Sequence, residues 1–178
     1  MTTPLPRDAD VFTTYSNSLP GLFAQESKAF IEDVLWNQRG DFRTLLTAPY
    51  SFVNADLAKH YGVSGISGSQ LQKTALPGRA GLLTLGGVVS VHDKPTRTSI
   101  VMRGLRVRTE VLCQTIGAPP ADIVLDLPEL AAGTPQRQLL EEHRKQPLCA
   151  SCHDRMDPIG IAFGNFDALG RLRSEDRR

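Results

Sequence analysis

Gln146-Pro147-Leu148-Cys149-Ala150-Ser151-Cys152-His153 is the run whose reading decides the rest of the chain. Two thiols three positions apart, followed at once by an imidazole, make the c-type haem attachment pattern. The thiols would add to the two vinyl groups of one porphyrin, and His153 would ligate the iron from one side. With three cysteines and four histidines in the chain, such a cluster is uncommon by chance. A structural zinc site, a redox C-x-x-C and coincidence stand beside it. Zinc wants four ligands in close pairs, yet there is no second C-x-x-C or H-x3-5-H, and Cys113, His143 and His153 would have to complete a site with Cys149 and Cys152 from irregular distances. A thioredoxin-like dithiol expects a preceding strand and a βαβ setting, and neither is visible. Haem is the better reading.

Upstream of the motif, Thr134 as N-cap and Pro135 at N1 predict a helix carrying Leu139 and Leu140. It must stop by about Lys145, because Gln146 precedes a proline and is steered away from α geometry. Beyond the motif, Asp157-Pro158-Ile159-Gly160 is expected to turn the chain, with Phe163, Phe166 and Leu169 as apolar cover. The short remainder after His153 lacks the distant C-terminal ligand of a complete cytochrome c domain, so earlier segments are expected to wall the other side of the pocket.

Further back, Thr98 or Ser99 caps the clearest helix, with Ile100, Val101, Gly104, Leu105, Val111 and Leu112 on one face. Gly117 to Leu130, with three prolines, is expected to cross irregularly to the next element. Residues 81–91 are apolar and glycine-rich without a clean period, and lean to helix. Residues 1–19 read as a mobile lead-in. From Pro20 to Gln38, Leu22, Phe23, Phe30, Ile31, Val34 and Leu35 recur at helical spacing, and Gly40 sits where a C′ glycine ends a helix. Asp41 caps a short helix through Leu46, and Asn54 caps another from Ala55 to Tyr61, closed by Gly62. The expected organisation is the end of a helical module at 1–62, a linker loop at 63–78, and a truncated haem-bearing module at 79–178. The predicted class is mainly α, with short helices, long irregular loops and a cytochrome c-like haem-attachment segment at the C-terminal end.

The 178 residues are 40% hydrophobic and 22% charged, enough to bury a core. With 20 basic and 19 acidic residues the net charge is +1, which gives no general case for a nucleic-acid or anionic-membrane partner. No apolar run reaches the length of a transmembrane segment. Cys113, left over if the other two thiols carry haem, is expected as a small buried apolar residue. Residues 1–8 show no charged stretch followed by an apolar one, so they do not read as a signal peptide. Covalent haem attachment belongs outside the cytoplasm, and the reading that reconciles the two is a fragment of a longer, periplasmic or otherwise exported chain.

Several stretches together carry a resemblance. They are Arg79-Ala80-Gly81-Leu82-Leu83-Thr84, Pro95-Thr96-Arg97-Thr98-Ser99 with Arg103-Gly104, Glu142-His143-Arg144 through His153, Asp157-Pro158-Ile159-Gly160, and Asn165-Phe166-Asp167-Ala168-Leu169-Gly170. Over residues 79–173 the chain resembles the planctomycete-type cytochrome-associated family, multidomain c-type haem proteins built of domains of unknown function. Residues 30–63, with Ser51-Phe52-Val53-Asn54 and His60-Tyr61-Gly62, look like the end of that family's preceding module. The resemblance implies an exported haem protein engaged in electron transfer or oxidation, and a histidine at the place of His92.

The iron's second axial ligand is open at this stage among His92, Met102, His143 or none. Met156, three residues after His153, points the same way on a helical turn. Arg97, with Arg103, Arg106 and Arg108, could pair with haem propionates, since guanidinium matches carboxylate. The resulting expectation is a haem c module for electron transfer, whose partner is a redox protein or another haem domain of the same full-length chain. A peroxidase-like enzyme with an open iron, and a zinc-stabilised interaction module, are the alternatives.

Overall fold

The computed structural model describes residues 6–117 and 134–173. The chain is mainly α-helical, with seven short helices and one two-stranded sheet among the described residues. It divides into two compact units: Met1–Thr96 with Phe166–Leu172, and Arg97–Asn165 with Arg173–Arg178. The expected crossing at Gly117 to Leu130 lies almost wholly outside the described residues.

In the first unit, α1 (Leu19–Glu32) opens with Pro20 in its first turn, where a missing N–H costs nothing, and runs on through a π-helical turn, Asp33–Asn37. Gly40, at φ 69°, ends it by donating its N–H to Val34 O at 2.9 Å. The Asp41 carboxylate accepts from the Arg43 and Thr44 N–H groups and caps α2 (Phe42–Thr47). After β1 (Tyr50–Val53), the Asn54 side chain caps α3 (Ala55–Tyr61) through Leu57 N–H, and Gly62 closes it at φ 72°. These caps fall where the sequence places them. Residues 63–78, expected as a linker loop, instead hold β2 (Gln72–Ala75), which pairs antiparallel with β1 from Tyr50↔Ala75 to Val53↔Gln72. Leu76 is buried with Leu19, Phe23, Val53, Leu57 and Ala58, so the segment is tied into the first unit by apolar burial. Phe30, Val34, Ala48 and Leu85 form a second cluster. Each large side chain so enclosed is worth about 2–3 kcal/mol.

Residues 81–91 become a 3₁₀ turn, Leu82–Thr84, and the short α4 (Gly86–Ser90). The expectation of a mobile lead-in fails at Arg7. Its guanidinium is buried and donates to the carbonyls of Ala168, Asp93 and Ser90, since one planar fork of N–H donors can serve several backbone acceptors at once. His60, half-buried, bonds Leu169 O through Nε2 at 2.9 Å and packs edge-on against Phe23. Burial holds its pKa below the usual value.

In the second unit, α5 (Ile100–Arg106) is capped by Ser99, whose Oγ accepts from Met102 N–H, and passes into a π-helical turn, Val107–Val111. The apolar face expected along it breaks at that turn: Ile100, Arg103 and Gly104 are buried, while Val111 and Leu112 are exposed. The wider turn rotates the later side chains off the buried stripe. Cys113, expected inside, is exposed, at φ 52° just past the helix end. Two further helices complete the unit, α6 (Gln136–His143) and α7 (Pro147–Ala162). Gln146 is extended (φ −82°, ψ 121°) and Pro147 takes N1 of α7, as the sequence requires.

The expected turn at Asp157-Pro158-Ile159-Gly160 is corrected: α7 runs through Pro158 to Ala162. The proline removes the N–H that would reach the Asp154 carbonyl, and Asp154 is exposed, so that carbonyl can be hydrated. Across the crossing of α5 and α7 the backbones touch. A Cβ on Gly104 would lie 2.0 Å from Met156 O, and one on Gly160 would lie 2.0 Å from Ile100 O. Only glycine fits at either position.

Candidate functional site

The sulfur and nitrogen atoms of the motif are delivered by the first two turns of α7. Cys149 and Cys152 are three apart and His153 is four from Cys149, so all three fall on neighbouring parts of the helix surface. Both thiols are half-buried and free of disulfide. Leu148, beside them, is 58% exposed, an apolar surface next to the thiols.

His153 is held from below. Its side chain is 16% exposed, and its Nδ1 lies 3.0 and 3.1 Å from the two oxygens of Asp157, which is 0% exposed. A buried carboxylate accepts, so Nδ1 carries a proton, and in the neutral ring the lone pair is then on Nε2. The His143 ring meets His153 edge-on, 4.6 Å between centroids at 76°. Burial first, then the neighbouring His153, lowers the His143 pKa against a weaker opposing pull from Asp157. An edge contact at this distance places His143 beside His153 rather than across an intervening macrocycle.

Tested against a c-type haem, the donor set fits: two unbridged thiols one turn apart, and an imidazole whose free lone pair is on the ring nitrogen remote from its anchoring carboxylate. Among the described residues no three His, Cys, Asp or Glu side chains are grouped so as to hold a metal ion.

The other predicted site residues are dispersed. His92 is half-buried in the turn after α4 and belongs to the first unit, whereas His153 belongs to the second. Arg97 is exposed at the start of the second unit. Met102 is half-buried on α5, and Met156 is buried on α7 with its carbonyl against Gly104. Arg103 is buried and donates to Phe163 O at 2.6 Å, Arg106 pairs with Glu110, and Arg108 donates to Arg155 O and Gln114 Oε1. Sequence reasoning missed Asp157 as a partner of His153. The i,i+4 spacing was the available signal, masked by Pro158 and the turn it suggested.

A second polar cluster, also missed, lies in the first unit. Glu26 is 0% exposed and accepts from Ser51 Oγ and Tyr61 OH, each at 2.7 Å. Tyr61 OH accepts in turn from Gly86 N–H at 3.1 Å. The Arg79 guanidinium lies 4.1 Å over the Tyr61 ring and 5.0 Å over that of Phe166, while donating to the carbonyls of Thr84 and Gly170. Burial pushes the Glu26 carboxyl up from its ordinary 4.5 to about 7, against the hydrogen bonds of Ser51 and Tyr61 and the charge of Arg79. Every member faces inward, so the cluster fastens α1, β1, α3 and the 79–86 segment together.

Two family models match the chain. PSCyt3, described as a protein of unknown function (DUF1588), covers residues 79–176, and PSD4, described as a protein of unknown function (DUF1592), covers residues 2–63. No curated protein and no solved structure matches it. Among the described residues, no helix is long and apolar enough to cross a membrane.

Proposed function

We propose, for a chain that belongs to the PSCyt3 family of proteins of unknown function, that it is a c-type haem-binding module of an exported redox protein, serving electron transfer. Cys149 and Cys152 would hold the porphyrin covalently and His153 would ligate its iron through Nε2. Bound there, the haem would supply a one-electron ferric/ferrous couple. The chain's own residues do the rest: Asp157 keeps the imidazole proton on Nδ1, His143 packs against the ring, and Leu148 offers apolar surface beside the thiols. Arg97 and His92 remain proposed as propionate and second axial partners. Electrons would pass to a redox protein or to another haem domain of the full-length chain. Because thioether attachment takes place outside the cytoplasm, the module would work in the periplasm or beyond.

One observation supports this reading above the others: two free thiols and a carboxylate-anchored imidazole share the start of a single helix. The test is expression with periplasmic haem maturation. A pyridine haemochrome spectrum of haem c and a mass increase of one haem are expected, both lost in Cys149→Ser/Cys152→Ser. A colourless protein of unaltered mass overturns the reading. In the haem-loaded protein, unchanged Soret bands on adding cyanide or carbon monoxide mark a closed iron and support electron transfer. A shift marks an open iron and moves the function to the peroxidase-like alternative.

A further inference from the structure

Asp157 is a carboxylate enclosed on all sides that spends both oxygens on one imidazole N–H. Enclosing a carboxylate is costly unless a partner compensates, so the position is not a casual one for an acid. We infer that Asp157 is the positioning residue for His153 as an iron ligand: it fixes the Nδ1–H tautomer and orients the ring. It also makes Nε2 electron-rich, so that the oxidised iron is favoured over the reduced. This rests on the haem reading above.

The physical warrant is that a ligating histidine's other nitrogen commonly donates to an outer partner, and that the partner's charge sets ligand basicity. A neutral carbonyl at Nδ1 would orient the ring equally well. A carboxylate adds electron density to the ring, and enclosure prevents water from screening it. Helix α7 supplies the register, since residues four apart lie one above the other, and the Gly104 and Gly160 contacts hold the turn carrying Asp157 against α5.

The test compares wild type with Asp157→Asn and Asp157→Glu, all matured with haem. Asparagine keeps the shape and an acceptor oxygen and loses the charge; glutamate keeps the charge at a different reach. Asp157→Asn is expected to shift the ferric/ferrous ratio at a fixed applied potential at least tenfold toward ferrous, about 59 mV for a one-electron couple. Asp157→Glu should recover part of that shift. A merely structural role would change the yield of folded protein and leave the potential alone. Should Asp157→Asn not fold, the imidazole nitrogen shifts of His153 in wild-type apoprotein decide: Nδ1 protonated supports the inference, and Nε2 protonated overturns it. Haem-loaded wild type with an unchanged Asp157→Asn potential overturns this inference alone. Wild type that takes up no haem overturns both readings.

Discussion

Replacing Glu26 by glutamine should change how the stability of the chain depends on pH, and the size of the change can be worked out. Enclosed beneath Ser51 and Tyr61, the carboxyl has its pKa raised from 4.5 to about 7 in the folded protein. A folded-state value above the unfolded one means that the folded state holds its proton longer. The associated stability is fully present below about pH 4.5 and is lost as pH climbs to about 7, after which it stays lost. At 1.36 kcal/mol per unit, the span corresponds to roughly 3 kcal/mol. Glutamine has no proton to lose. Its oxygen can accept from one hydroxyl, and its NH₂ can donate to Ser51 Oγ once that hydroxyl rotates. The stability of Glu26→Gln relative to wild type should therefore rise by roughly 3 kcal/mol between pH 4.5 and pH 8. His60 and His143 work in the opposite sense, because their folded pKa values are depressed and their contribution is lost as pH falls. Both are common to the two proteins and cancel in the difference. Urea unfolding followed by far-ultraviolet circular dichroism at half-unit steps of pH measures it. A difference flat to within about 0.5 kcal/mol over that range would show that the carboxylate is already ionised in the fold, and the account of the cluster would be wrong.

Other substitutions test the frame. Gly104→Ala and Gly160→Ala each drive a methyl into a carbonyl oxygen across the α5–α7 crossing, and should each cost about 3 kcal/mol or more in urea unfolding. Together they should cost less than twice that, since either alone forces the helices apart. Asn54→Ala removes the acceptor for Leu57 N–H and should cost about 1 kcal/mol, read as a lower urea midpoint at constant slope. Arg7→Met leaves three backbone carbonyls without their guanidinium and should cost about 1–3 kcal/mol, with faster amide exchange at residues bonded near Ser90 and Ala168.

What could be read in advance were features decided within four or five residues. Asp41, Asn54, Gly62 and the Gln146-Pro147 step act on backbone groups next to them in the chain, so their effect follows from local chemistry. What could not be read depends on partners chosen at long range. Arg7 serves Ala168, His60 bonds Leu169, and Glu26 collects Ser51 and Tyr61. Strand β2 was hidden because Gln72-Lys73-Thr74-Ala75 has no apolar alternation, and only β1 beside it makes it a strand. The π-helical turn after Arg106 shifted the later side chains out of the period on which the expected face of α5 rested. At the candidate site the motif itself was legible, and its support was not.

The reason lies in how Pro158 is tolerated. In isolation, Asp157-Pro158 ends a helix, because proline breaks the bonding ladder and crowds the preceding turn. Here the backbone on both sides of it is fixed from outside. Met156 O sits against Gly104, and Gly160 sits against Ile100 O, so α5 holds one residue pair two positions before the proline and another two positions after. That bracing keeps Asp157 in helical register, four residues from His153, which is the register that brings its oxygens to Nδ1. The tie between imidazole and carboxylate is thus a product of packing between two helices whose touching residues lie more than fifty positions apart in sequence. A side chain on Gly104 should therefore loosen the His153–Asp157 bond by pushing on the Met156 carbonyl, the residue just before Asp157. Glycine at 104 and 160 is then as much a requirement of the site as the aspartate itself.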